Sequence, residues 1–157
     1  MKWVDSENLH LTLNFVGDLP SNQTARFCQS IEDRVKSFDP FYINITGLGG
    51  FPSMTSPKVI WAGVNEGVEN LTAIHQEIQQ ELSGWRVNLD RKPFNAHVTL
   101  GRLIKQAGES QTLIEELNRL KHHDTGRCLV NQVVVYSSFL DKGGPTHTPM
   151  ATIRLDR

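Results

Sequence analysis

Two short stretches hold the residues best suited to chemistry: Leu9-His10-Leu11-Thr12-Leu13 and Ala96-His97-Val98-Thr99-Leu100. Each reads apolar-His-apolar-Thr-apolar. In an extended strand successive side chains point to opposite faces. His10 and Thr12 therefore share one face, against Leu9, Leu11 and Leu13 on the other. His97 and Thr99 stand in the same relation to Ala96, Val98 and Leu100. Each strand is expected to bury its aliphatic face and to offer an imidazole and a hydroxyl on the opposite side. An imidazole takes or gives a proton near neutrality, since its reference pKa is about 6.5. Two of them flanking a reacting centre can divide the work, one activating a nucleophile and the other protonating a leaving group. Threonine hydroxyls can donate to oxygens that gain charge in the transition state. A phosphodiester suits this set, with two non-bridging oxygens and an in-line nucleophile and leaving group. The arrangement requires no metal and no other cofactor. Neither motif contains a carboxylate, and there is no HExxH, Cys cluster or GxSxG to support a metal or serine mechanism.

These motifs need elements to position them. Residues 9–17 alternate as a strand. Ser21 is placed to cap a helix on which Ala25, Cys28, Ile31 and Val35 recur, ending before Pro40. Residues 41–46 read as a strand, 47–57 as a Gly- and Pro-rich loop, and 59–64 as a short apolar strand. Leu71, Ile74, Ile78 and Leu82 mark a helix stopped at Gly84. A brief strand is expected at 86–89. The second motif lies in 94–103, Ser110 caps a helix bearing Leu113, Leu117 and Leu120, and strands at 132–139 and 150–155 flank a turn at 141–145. Helix, strand, Gly-rich turn and strand thus follow both motifs. The offset from His10 to His97, 87 residues, nearly matches the 91 from Tyr42 to Val133. This is a duplicated unit, with the two His-Thr faces expected to oppose each other across a cleft. The second motif is preceded by a strand and a helix, the first by only a few residues; by symmetry a strand–helix unit is expected upstream of Met1.

A chain of 157 residues fits one domain or two small lobes. The formal charge of −1 argues against a broad cationic surface for long nucleic acid, though not against an RNA end or a small anion. Cys28 and Cys128 sit in no metal-ligand or redox spacing and are read as reduced thiols. With neither a signal peptide nor a membrane-length apolar run, the expected location is cytoplasmic.

The doubled His-x-Thr pattern, at this separation, resembles the 2H phosphoesterase superfamily. Within it the chain is most similar to the RNA 2′,3′-cyclic phosphodiesterases, the LigT-like "2′-5′ RNA ligase" group. The likeness rests on Lys2-Trp3-Val4 with Glu7-Asn8-Leu9-His10-Leu11-Thr12-Leu13, on Phe51-Pro52 with Val59-Ile60-Trp61-Ala62-Gly63-Val64, and on Phe94-Asn95-Ala96-His97-Val98-Thr99-Leu100-Gly101-Arg102. It implies one bilobal domain over 1–157, α+β, with two pseudo-symmetric lobes of mainly antiparallel sheet, helices outside and a central cleft. The first strand–helix unit of that plan is absent here, and Ala96 stands where the family usually has Pro. The resemblance further implies opening of a 2′,3′-cyclic phosphate at an RNA end to a 2′-phosphate, with 2′-5′ joining as the reverse. RNA ends or small cyclic nucleotides would be the binding partners, and no membrane is implicated.

Carried over by position, His10, Thr12, His97 and Thr99 form the catalytic tetrad; His10 is taken as acid and His97 as base, an order the sequence does not fix. Arg102 matches an arginine near the phosphate. Strict alternation points Arg102 away from His97, so that role requires a bulge or the strand's end. Trp61 and Phe51 are read as core before a base-stacking platform, though Phe51, in the expected loop, is a candidate to meet a nucleobase; Phe41 and Tyr42 are open between the two. His75, His122, His123 and His147 are read as structural or solvated, and Lys105, Arg119, Lys121 and Arg127 as surface charge. A binding module that holds an RNA end without turnover is the alternative to the enzyme. The intact tetrad favours the enzyme, because binding alone has no need of an acid–base pair.

Overall fold

The computed structural model describes all residues except 88–91, 105–109, 142–143 and 157, and gives no side-chain description at 110, 140, 141 and 144. The fold is α+β. Its described strands are β1 (Lys2–Trp3), β2 (Phe41–Phe51), β3 (Val59–Glu66), β4 (His97–Arg102), β5 (Asp124–Val130), β6 (Gln132–Asp141) and β7 (Gly144–Arg154). The helices are α1 (Thr24–Val35), α2 (Val68–Ser83) and α3 (Ser110–Arg119). Two compact units result, each drawn from three separate stretches of chain: Met1–Leu13, Tyr42–Thr72 and Pro93–Cys128 in the first, and Asn14–Phe41, Ala73–Lys92 and Leu129–Arg157 in the second.

The first unit is built on a five-stranded sheet in the order β1-β4-β3-β2-β5, with antiparallel pairing from β1 through β2. One face of its centre is core: Ile60, Ala62 and Val98 are buried, as are Ile43, Ala96 and Leu117 of the same unit. The second unit contains α1, most of α2 and the antiparallel hairpin β6–β7. Phe27, Ile31 and Val35 are buried along α1, and Ile74, Ile78 and Leu82 along α2. This spacing of four residues gives each helix one apolar face. Ala25, expected on that face, is exposed; Phe27 takes its place and meets Trp85 edge-on at 5.2 Å. At the rim the Arg34 guanidinium reaches Glu81 at 3.1 Å and Glu77 at 3.6 Å, while the Trp85 indole donates to Glu81 at 3.2 Å.

Several expectations change. Residues 47–51 belong to β2 rather than to a loop. Their glycines serve close approach between strands, a known use of glycine within a sheet: a Cβ on Gly49 would overlap the Trp61 ring, and one on Gly50 would meet the Pro57 side chain at 2.8 Å. Residues 9–17 are not a continuous strand. Leu11 forms an isolated bridge to Val98, Leu9 remains 43% exposed, and Leu11 and Leu13 are half-buried. One bridged pair is too short a run to make a strand. Ser21 opens a 3-10 turn, Ser21–Gln23, rather than capping α1, whose N-cap Gln23 makes no side-chain capping bond. Arg86 and Val87 lie outside any strand, and the remainder of the strand expected there, 88–89, lies outside the described residues, as does the centre of the 141–145 turn. His147 lies within β7 and contacts the Tyr136 ring, not in a turn. Strands β1 and β5 escaped the sequence: one is two residues long, and the other is mostly polar and exposed, with Gly126 at φ +105°.

Candidate active site

Both His-Thr motifs fall in the first unit, and the Leu11–Val98 bridge brings them side by side. The bridge is antiparallel, and directly opposed residues in such a pair share a face. Continued by one residue each way, that register would set His10 beside Thr99 and Thr12 beside His97, with the four side chains on the face opposite Val98 and Ala62. On it the two imidazoles would form a diagonal pair.

The histidines are held in the same way. His10 Nδ1 lies 2.8 Å from the Asn8 carbonyl oxygen, and His97 Nδ1 lies 2.7 Å from the Asn95 carbonyl oxygen. A carbonyl only accepts, so each Nδ1 carries hydrogen and donates it. In the neutral form of each ring Nε2 is then the acceptor nitrogen. In both cases the acceptor is the backbone two residues upstream. No residue type encodes this, which is why the sequence did not reveal it.

The feature Arg102 required is present. On β3 and β4, Trp61 pairs with Thr99 and Ile60 with Gly101, so Leu100 is an extra residue bulged out of the ladder. Beyond it Arg102 pairs with Val59 on one side and Lys2 on the other. Val59 shares a face with Trp61, and Trp61 with Thr99. The bulge therefore turns Arg102, and Lys2 with it, onto the face of the His-Thr group; both are exposed.

Phe51 is the last residue of β2, paired with Val59. Its ring is 5.1 Å from Trp61 and 5.2 Å from His97, nearly perpendicular to the imidazole at 83°. Trp61 also meets His97, at 5.9 Å and 63°. The sequence had set Trp61 in the core; it lies half-buried on the site face instead. Alternation along β3 with Ile60 in the core would have placed it there. Arg127 and Tyr42 pair with each other, the guanidinium 4.5 Å from the ring centroid, and Arg127 also meets Glu66, which leaves them a structural part in the β2–β3–β5 region. Among the described residues no three His, Cys, Asp or Glu side chains cluster as a metal site would need, and no helix is long and apolar enough to cross a membrane.

A structure of this kind, with paired His-Thr motifs on an antiparallel sheet, defines a class. Residues 2–139 match the family model described as the 2′-5′ RNA ligase superfamily. The chain belongs to that superfamily, in its RNA 2′,3′-cyclic phosphodiesterase group. A curated relative of that name from Aquifex aeolicus is 33% identical over 94% of this chain and 78% of its own length. A crystal structure from Thermus thermophilus superposes with a TM-score of 0.76 and 25% identity, covering 98% of this chain and 81% of that one. Escherichia coli LigT, complexed with 3′-AMP, shares the fold at a TM-score of 0.75 and 20% identity, over 99% of this chain and 81% of that one.

Proposed function

We propose that this chain hydrolyses RNA 2′,3′-cyclic phosphate ends to 2′-phosphates by a metal-independent, two-histidine mechanism. The observation that carries the reading is the Leu11–Val98 bridge, which joins the two motifs, supported by the matching Nδ1 bonds, which make Nε2 the basic nitrogen of each neutral ring. The name of the curated relatives, RNA 2′,3′-cyclic phosphodiesterase, supports the substrate. In the ring-opening step His97 Nε2 takes a proton from water as its oxygen bonds to phosphorus. The bond from phosphorus to the 3′ oxygen breaks, and that oxygen receives the proton held on His10 Nε2. The phosphate stays on the 2′ oxygen. Thr12 and Thr99 donate to the non-bridging oxygens, where charge accumulates. Arg102 adds a cation on the same face, and Phe51 offers an aromatic surface to the terminal base. With a 5′-hydroxyl in the place of water, the same steps yield a 2′-5′ linkage. Cytoplasmic RNA ends, or small cyclic nucleotides, are the substrates this chemistry serves.

The test is RNA bearing a 2′,3′-cyclic phosphate, incubated in EDTA with the wild-type chain, His10→Ala and His97→Ala. The expected result is a 2′-phosphate product, with each variant slower by about 10²–10⁴-fold, the usual worth of one positioned acid or base. A 3′-phosphate product, or wild-type rates in either variant, overturns the mechanism. Tight binding of the RNA end with no turnover by the folded wild type would make the chain a binding module.

A further inference from the structure

Trp61 has an unusual seat. It lies opposite Gly49 on β2 and opposite Thr99 on β4, and so on the face away from Ile60 and Ala62. A Cβ built on Gly49 would overlap Cζ2, Cη2 and Cε2 of the indole, far inside van der Waals contact. One built on Gly63 would stand 3.4 Å from Cζ3. Among the described residues the positive-φ glycines are Gly17, Gly47, Gly67 and Gly126, so neither Gly49 nor Gly63 is needed for a left-handed backbone. At Gly49 the missing side chain makes room for the ring.

The indole leaves its own polar group unused. Trp61 Nε1 is buried with no hydrogen-bond partner. Buried tryptophans normally satisfy that N–H. The ring is thus placed for its faces and edges, and those meet Phe51 at 5.1 Å and His97 at 5.9 Å. His97 is held at one end by the Asn95 carbonyl and along its ring by two aromatic side chains.

We infer that Trp61, seated on Gly49, is a positioning residue that fixes the plane of the His97 imidazole and the direction of Nε2. This rests on the proposed role of His97. Phe51 supports the same ring from the side, and the hydrogen bond from Nδ1 fixes which nitrogen faces outward. Trp61 touches no reacting atom; it acts through His97. Misplacing a catalytic group by about 1 Å costs on the order of a hundredfold in rate.

The experiment compares Trp61→Leu, Trp61→Phe, Gly49→Ala and the Gly49→Ala/Trp61→Leu double variant. Each is checked for folding by circular dichroism, assayed for kcat and KM on the cyclic-phosphate RNA, and examined by ¹⁵N NMR for the His97 tautomer. Trp61→Leu is expected to lower kcat about 10- to 100-fold with KM little changed, and to broaden the His97 ring signals or mix their tautomers. Trp61→Phe, which keeps an aromatic face, should recover most of kcat. Gly49→Ala should act like Trp61→Leu in the wild-type background and add little when Trp61 is already Leu, because the atoms it strikes are gone. That dependence is the signature of coupled neighbours. A wild-type kcat and a single unaltered His97 tautomer in Trp61→Leu overturn the inference, as does equal damage by Gly49→Ala in both backgrounds. If Trp61→Leu does not fold, the Trp61→Phe and Gly49→Ala spectra decide: an unchanged His97 signal in Gly49→Ala overturns it. Should His97→Ala keep wild-type activity, the proposed mechanism fails, while the tautomer measurement still judges the positioning.

Discussion

Arg102 offers the sharpest test of how the site is built, because one extra residue decides which way it points. Without the bulge at Leu100, strict alternation would send Arg102 to the face of Ile60 and Val98; with it, Arg102 shares the face of Thr99 and His97. A guanidinium bonded to a phosphate makes charge-assisted hydrogen bonds, and such bonds contribute about 1.5–3 kcal/mol when not fully exposed to water. Arg102→Ala should therefore lower kcat/KM on cyclic-phosphate RNA by about 10- to 150-fold. Arg102→Lys keeps the charge but loses the planar fork, and should fall between. Arg102 is exposed, so its loss should leave folding stability within about 0.5 kcal/mol. The assay is steady-state kinetics on a short RNA with a defined cyclic end, run beside urea unfolding of the same samples. A kcat/KM within twofold of wild type for Arg102→Ala, with folding intact, would show that the cation does not meet the substrate and that the bulge serves some other end.

Other outcomes follow from the same physical reasoning. The Glu81 carboxyl is held below its ordinary range chiefly by the Trp85 indole N–H and then by Arg34, against the opposing effect of burial. A depressed carboxylate stabilises the fold above its unfolded pKa of about 4.3 and loses that contribution as pH falls through the folded value. The Tm advantage of wild type over Glu81→Gln should therefore be present at neutral pH and shrink on acidification; an advantage that grows toward acid would contradict the assignment. Ile74 is fully buried on α2, so Ile74→Ala should cost about 2–5 kcal/mol in urea unfolding; a loss under about 1 kcal/mol would mean the surroundings collapse onto the gap. The His10→Ala/His97→Ala double variant should be little slower than the worse single variant, since residues that act as one unit are not additive; fully multiplicative losses in single-turnover rates would speak for independent roles.

How much of this was legible from residues alone varied with the kind of signal. The face of α2 was readable because Leu71, Ile74, Ile78 and Leu82 repeat at helical spacing and all four are buried. Alternation was readable at the second motif, where buried Val98 lies between half-buried His97 and Thr99, and not at the first, where no strand forms. The glycines of β2 misled, since a residue that breaks strands by propensity can also make room for a neighbour's ring, and only Trp61 on the adjacent strand tells the two apart. The contact between Trp61 and His97 required knowing which strands are adjacent. The carbonyls of Asn8 and Asn95 could not have been found, for the backbone oxygen is the same in every residue. Arg102 was a near miss of an instructive sort: the need for a bulge was derivable, its presence was not.

The bulge also changes what kind of information the chain stores at position 100. Most functional positions are specified by identity, and replacing the side chain erases them. Here what counts is how the residues between Thr99 and Arg102 pair, and not which side chain stands at 100. Deleting Leu100 would leave Thr99 opposite Trp61, Gly101 opposite Ile60 and Arg102 opposite Val59 in an unbroken ladder, so the deletion should keep Arg102 on its face. What turns Arg102 over is closing the bulge with every residue retained: with Leu100 opposite Ile60, alternation sends Arg102 to the face of Val98. A functional element can thus be written in the pairing of a strand and pass unnoticed wherever variation is scored letter by letter.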